Sequence, residues 1–195
     1  MITGLSFAAL DVEIANPKYG SICSIGVAVV RDGLRATTRT WLCRPPAGLE
    51  HFGQIQMGVH GITPAMVAGQ PRFAQRLPEV MTLIDDLPVV AFNSKFDMNA
   101  IRQACEHSEL PTPAWQYGCA LQWAQNQLVL NKYRLPMVAE ALGVSLSGAH
   151  HEAGSDAAAA ADITVAMARR TGSSTLTELA TRHGAPLRWT TPRSN

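Results

Sequence analysis

The stretch Ser6-Phe7-Ala8-Ala9-Leu10-Asp11-Val12-Glu13 decides how the rest of the chain is read. It has the apolar run of a buried strand, yet it ends in two carboxylates. Side chains alternate along a strand, so Asp11 and Glu13 share a face with Phe7 and Ala9, while Ala8, Leu10 and Val12 fill the other. Two residues of rise put their Cα atoms ~6.6 Å apart. Like charges at that spacing repel, and leaving water costs each of them. A divalent cation between them relieves both costs, because hard cations such as Mg²⁺ and Mn²⁺ take carboxylate oxygen. For an isolated D-x-E, a strand that runs out into solvent is the plainer account, so the remainder of the chain decides.

The 195 residues are enough for one domain, 1–195, with a substantial core. A hydrophobic content of 47% and a formal net charge of +1 fit a soluble globular protein without a basic tail, so any nucleic-acid binding must be local. The cysteines at 23, 43, 105 and 119 form no C-x-x-C pair and no zinc-type spacing. Free, buried thiols in a reduced cytoplasm are expected. No signal peptide is expected, because no basic segment precedes the first apolar run. No membrane span is expected either, for want of a long uncharged apolar stretch.

In order, Ile14 to Gly20 reads as a loop, Ser21 to Val30 as a buried strand, Arg31-Asp32-Gly33 as a hairpin turn and Arg35 to Cys43 as an edge strand. This is an antiparallel meander. Residues 47–70 read as loop apart from a short helix, Pro64 to Ala68. Phe73, Leu77, Val80 and Ile84 mark a helix. Leu87 to Phe92 is a central strand, followed by a helix from Phe96 to His107. A short strand at Trp115 to Cys119 precedes helices at Ala120–Leu128 and Leu135–Leu142. Ser147 to Ser155 reads as loop, Asp156 to Arg170 as an alanine-rich helix and Thr175 to His183 as a last helix before a frayed tail. Strands first, then helices alternating with strands, give an α/β fold: a mixed five-stranded sheet flanked by helices.

Three further positions carry chemistry. Asp97 shares a helix face with Ile101, Ala104 and Cys105, so it is either a charge favoured by the helix dipole or a ligand at the sheet edge. Asp156 opens a helix whose neighbouring residues, Ala157, Ala160, Ala161, Thr164 and Ala168, are small enough to let it lie close to a sheet. Asp162 reads as a solvated charge. His151, five residues before Asp156, has a side chain suited to proton transfer at neutral pH. Four carboxylates that can converge, with a histidine nearby, meet the needs of a two-cation site for phosphodiester hydrolysis. A glycosidase would need only a carboxylate pair.

These motifs resemble the DEDDh 3′–5′ exonucleases, relatives of the epsilon proofreading subunit of bacterial DNA polymerase III. Phe7 to Glu13 resembles the first motif, Asn93-Ser94-Lys95-Phe96-Asp97 the second, and His151-Glu152-Ala153-Gly154-Ser155-Asp156 the third, H-x-x-x-x-D, which selects His151 over His150. Val59-His60-Gly61-Ile62-Thr63 resembles the family's H-G-I-T segment, beside the bound 3′ nucleotide. The resemblance covers residues 5–170, leaving 171–195 as a C-terminal helix and tail. It implies an RNase H-like fold and two Mg²⁺ or Mn²⁺ ions on Asp11, Glu13, Asp97 and Asp156, with His151 as general base. It places Val12, Ile14, His60, Ile62, Asn93 and Phe96 at the substrate. The implied activity releases 5′-mononucleotides from the 3′ end of single-stranded DNA, with a polymerase or repair complex as partner. The alternatives are an exoribonuclease of the same family and a nucleic-acid- or polymerase-binding module with little nuclease activity. Ile14 stands where the family usually has Thr, and Phe92 where it commonly has His. Lys18, Lys95, Lys132 and Arg134 lie beside the motifs as surface charges or phosphate contacts.

Overall fold

A computed structural model describes residues 2–146, 148 and 151–190. Its strands are β1 (Phe7–Ile14), β2 (Ile22–Arg31), β3 (Leu34–Leu42), β4 (Val89–Ala91), β5 (Gln116–Cys119) and β6 (Arg188–Trp189). Its helices are α1 (Gln54–His60), α2 (Pro64–Val67), α3 (Phe73–Ile84), α4 (Ser94–His107), α5 (Ala120–Gln127), α6 (Leu135–Ala141), α7 (Ala153–Thr171) and α8 (Leu176–Arg182). The strands form one sheet in the order β3-β2-β1-β4-β5-β6. The meander β1–β2–β3 is antiparallel, β4 and β5 run parallel to β1, and β6 returns antiparallel to β5.

The alternation in β1 sorts the core into two layers. Phe7 and Ala9 pack with Val90, Trp123, Val138, Ile163 and Met167 under α5, α6 and α7. Ala8, Leu10 and Val12 pack with Phe73, Leu77, Val80 and Ile101 under α3 and α4. Asp11 and Glu13 continue the first of these faces, so they look toward α7.

How close α7 can come is set by Gly26, the partner of Asp11 across the β1–β2 ladder. A methyl group at Gly26 would sit inside the backbone of Ala153 and Gly154, the first residues of α7. Beyond the contact, Ala157, Ala160 and Ala161 are buried and keep the helix on the sheet. Small side chains on both surfaces thus bring the start of α7 down beside Asp11.

Several sequence expectations need correction. The sheet has six strands, because Arg188–Trp189 in the supposed tail pairs with Gln116 and Tyr117. Residues 47–70 contain a further helix, α1. Helix α4 begins at Ser94 rather than Phe96. Helix α7 begins at Ala153, since Glu152 caps it by accepting the Ser155 amide, so Asp156 lies within the first turn. Asp162 is ion-paired with Arg35 of β3 at 3.1 Å. His150 lies outside the described residues.

Gly26→Ala should lower the unfolding free energy by about 1–3 kcal/mol, since the added methyl meets backbone rather than a movable side chain. Denaturant titration measures this, and a variant as stable as the wild type would show that α7 does not rest on the sheet there.

Candidate active site

The short strand β4 creates the opening. It pairs with β1 only at Ala8 and Ala9, so β1 overruns it by several residues. The Ala8 amide donates to Pro88 O at 3.0 Å, and amides two and four residues on point the same way. At Val12 no strand remains to accept, and Asp97 takes the place of one: the Val12 amide donates to Asp97 Oδ1 at 3.2 Å. Asp97 is 2% exposed. A helix that starts immediately after β4 is what carries this carboxylate to the uncovered edge of β1.

From the other side, α7 brings Asp156, 7% exposed. Side-chain donor atoms of Glu13, His151 and Asp156 lie within 4.8 Å of one another. His151 holds a left-handed backbone conformation, φ +67°, which few residues other than glycine adopt. Its amide donates to Asp156 Oδ2 at 3.1 Å, closing the loop onto the helix start. Asp11, Glu13, Asp97, His151 and Asp156 all line one cleft of about 810 Å³.

Burial raises the Asp11 carboxyl well above the ordinary range, and the charges of Asp97, Glu13 and Asp156 add to the effect. Burial, then Asp156 and Asp97, push Glu13 from 4.5 to about 8. Burial pushes Asp97 from 3.8 to about 7, although the amides of Asp97 and Val12 pull it down. A cluster of hard oxygen donors that repel one another when ionised fits divalent cations such as Mg²⁺ or Mn²⁺. Asp11, Glu13, Asp97 and Asp156 could hold them.

The other candidates divide. Val12, Ile14, His60, Asn93 and Phe96 line the cleft. Ile62 does not: its side chain packs with Ala15, Cys23 and Val67 in a small separate core. Both ring nitrogens of His60 are engaged within the protein. Nδ1 accepts from the Ile62 amide at 3.0 Å, which leaves Nε2 as the donor to Ile14 O at 3.1 Å. His60 therefore pins α1 to the end of β1. Tyr19 packs edge-on against Phe96 at 5.5 Å, and Phe92 packs partly into the core.

The sequence reading missed Ile55 and Met137, which with Val59 give the cleft apolar lining. Ile55 is 79% exposed and Val59 48%. Their i, i+4 spacing between Gly53 and Gly61 was the available signal for a helix.

A family model described as exonuclease, RNase_T, matches residues 8–164. The chain belongs to the DEDDh 3′–5′ exonucleases. It is 26% identical over 181 residues to DNA polymerase III PolC-type of Thermotoga maritima, covering 89% of this chain and 13% of that protein. It is 26% identical over 148 residues to the 3′-5′ exonuclease DinG of Staphylococcus epidermidis, covering 74% of this chain and 16% of the relative. The exonuclease chain thus spans a small fraction of these longer proteins. Among solved structures, exonuclease X in complex with 5′ overhanging duplex DNA superposes with a TM-score of 0.71 at 22% identity, over 85% of this chain and 93% of its own. The nuclease domain of 3′hExo, a DEDDh family member bound to rAMP, gives 0.71 at 18% identity, over 86% and 94%. These neighbours share the fold of this family member.

Stability should report the charge cluster directly. The raised carboxyls bind protons more tightly in the folded chain than in the unfolded one. Their contribution is therefore full below the ordinary carboxylate range and lost as pH rises through about 7 for Asp97 and about 8 for Glu13. Cations compete with those protons. The thermal midpoint in EDTA should show this loss, and Mn²⁺ should raise the midpoint more at about pH 8.5 than at about pH 5.5. Scanning fluorimetry decides, and an Mn²⁺ effect independent of pH would dissociate the cluster from metal binding.

Proposed function

We propose that this single exonuclease domain hydrolyses the terminal phosphodiester at the 3′ end of single-stranded DNA, releasing 5′-mononucleotides. The observation that carries the proposal is the gathering of four carboxylates and His151 in one cleft that Ile55, Val59 and Met137 also line. Asp11, Glu13, Asp97 and Asp156 would hold two Mg²⁺ or Mn²⁺ ions. When bound, the pair would acidify the attacking water and offset charge on the leaving 3′ oxygen.

The chain's own residues do the rest. The His151 imidazole takes the proton of the attacking water. Its backbone tie to Asp156 holds the ring at the carboxylates. Ile55 and Val59 offer apolar surface to a terminal base, and His60 fixes the helix that carries them. Val12, Ile14, Asn93 and Phe96 line the same space, and the Ile62 amide reaches it only through His60. The DNA preference is supported by the PolC-type and DinG relatives, which also suggest a polymerase or repair setting. An RNA substrate is the second reading, because the 3′hExo neighbour is described bound to rAMP. Four buried, unpaired cysteines suit a reduced compartment such as the cytoplasm. No described helix is long and apolar enough to cross a membrane.

Labelled single-stranded DNA, duplex DNA and RNA, compared with Mg²⁺ or Mn²⁺, test the reading. Single-stranded DNA should be degraded fastest, from its 3′ end, and chelation should stop the reaction. Faster loss of RNA would favour the exoribonuclease, and no loss of any would leave a binding module.

Asp97→Asn keeps an acceptor for the Val12 amide while removing the charge. It should abolish hydrolysis with the circular dichroism spectrum unchanged, and normal turnover would refute the assignment. His151→Ala should slow hydrolysis ~10²–10⁴-fold. Calorimetric titration should find its Mn²⁺ affinity largely kept; lost affinity would make His151 a ligand instead.

A further inference from the structure

A second crevice, of about 420 Å³, opens at the carboxyl ends of β4 and β5, beside the acidic cleft. Asn93 lines both. Between them runs the first turn of α4, with Asp97 on the cleft side and Lys95 on the other, and Met98 and Arg102 follow on the crevice side further along the helix. The sign of the charge reverses across that turn. Among the described residues the crevice is lined by Lys95, Arg102 and Arg188 and by no carboxylate. Arg102 is engaged by Glu106 at 3.0 Å and by Asn99 at 2.9 Å. Lys95 and Arg188 are exposed and form no ion pair among the described residues.

The crevice also carries an indole. Trp189 is 61% exposed, although it belongs to a strand. β6 pairs it with Gln116. Thr190 anchors the strand further: its amide donates to Trp115 O at 3.0 Å, and its hydroxyl accepts from the Trp115 amide at 2.9 Å. The ring is therefore held at the surface by backbone pairing rather than by a loose end. Cationic side chains beside a fixed, exposed aromatic face are what sequence-independent binding of a single strand requires.

We propose that this crevice carries the single strand upstream of the 3′ nucleotide, crossing at Asn93, with phosphates on Lys95 and Arg188 and a base stacked on Trp189. The proposal rests on the acidic cleft being the hydrolytic site. An acidic protein segment would satisfy the cations, but it has no use for the indole or for continuity with the cleft.

The test separates binding from hydrolysis. In EDTA, an oligothymidylate of about 12 nucleotides should quench the tryptophan fluorescence of the full chain. Trp189→Ala should remove the quench and weaken binding, measured by anisotropy, about tenfold. Trp189→Phe should retain most of the affinity. Arg188→Ala should lower the slope of log affinity on log salt by about 0.7, the share of one phosphate contact on a single strand. With Mn²⁺, Arg188→Ala and Trp189→Ala should lower kcat/KM about tenfold on the oligonucleotide. They should leave hydrolysis of the p-nitrophenyl ester of thymidine 5′-monophosphate, which fills only the terminal site, unchanged. Wild-type affinity and oligonucleotide turnover in these variants would overturn the crevice assignment, as would quenching by polyglutamate but not by oligothymidylate. A wild-type chain that binds the oligonucleotide in EDTA yet hydrolyses neither substrate with Mn²⁺ would instead overturn the reading of the acidic cleft, along with the path that depends on it.

Discussion

The contact between Gly26 and the first residues of α7 is the constraint from which the site follows. Ordinary side chains on both surfaces would hold a helix further off the sheet, and with it the aspartate of its first turn. Here glycine on the sheet and alanine on the helix remove that spacing. Gly26 pairs with Asp11, so the closest approach occurs beside the acidic residue rather than elsewhere along the strand. The alanine-rich composition of α7 favours the helix itself. Its position shows a second reason: a small surface is the condition for the approach.

The second constraint is an unequal pair of strands. Because β4 is three residues long, β1 leaves an amide without a strand partner at Val12. An unsatisfied buried amide is costly, and Asp97 meets it. One hydrogen bond thus serves two ends, completing the sheet edge and fixing a carboxylate in the cleft. The electrostatic consequence is severe, since three carboxyls are driven upward by burial and by neighbouring carboxylates, Asp156 among them in every case. A fold that holds such groups together against repulsion is organised for positive charge to be placed among them. The arrangement makes sense as a receptor for cations and little sense as a source of stability.

What the sequence disclosed depends on range. The period-two pattern of Phe7 to Glu13 was enough to assign the faces correctly, because each strand residue reports its own neighbours. The meander, α3 and α7 were legible for the same reason. Helix α1 escaped because it has no buried residue, so the apolar periodicity that marks a packed helix is reduced to Ile55 and Val59. Strand β6 escaped because two residues carry no pattern; its existence depends on the partner Gln116 and the anchor at Thr190. Asp162 looked solvated because its partner, Arg35, is 127 positions away. The convergence of Asp11, Glu13, Asp97 and Asp156 came from matching motifs, and nothing local in the sequence shows that Gly26 permits it.

The H-x-x-x-x-D spacing has a physical reading in this structure. Glu152 caps α7, so Asp156 falls in the first turn, where its side chain can reach back toward the residue before the cap. That residue is His151, and its amide donates to Asp156 Oδ2. The left-handed turn at His151 is what lets the backbone close on this bond while the imidazole joins Glu13 and Asp156. Glu152 is held in turn by Thr40 of β3 at 3.0 Å. A chain of contacts therefore runs from the edge strand through the helix cap to the histidine. One residue fewer between His151 and Asp156 would place the histidine in the cap position itself. Its side chain would then compete for the helix amides instead of facing the carboxylates.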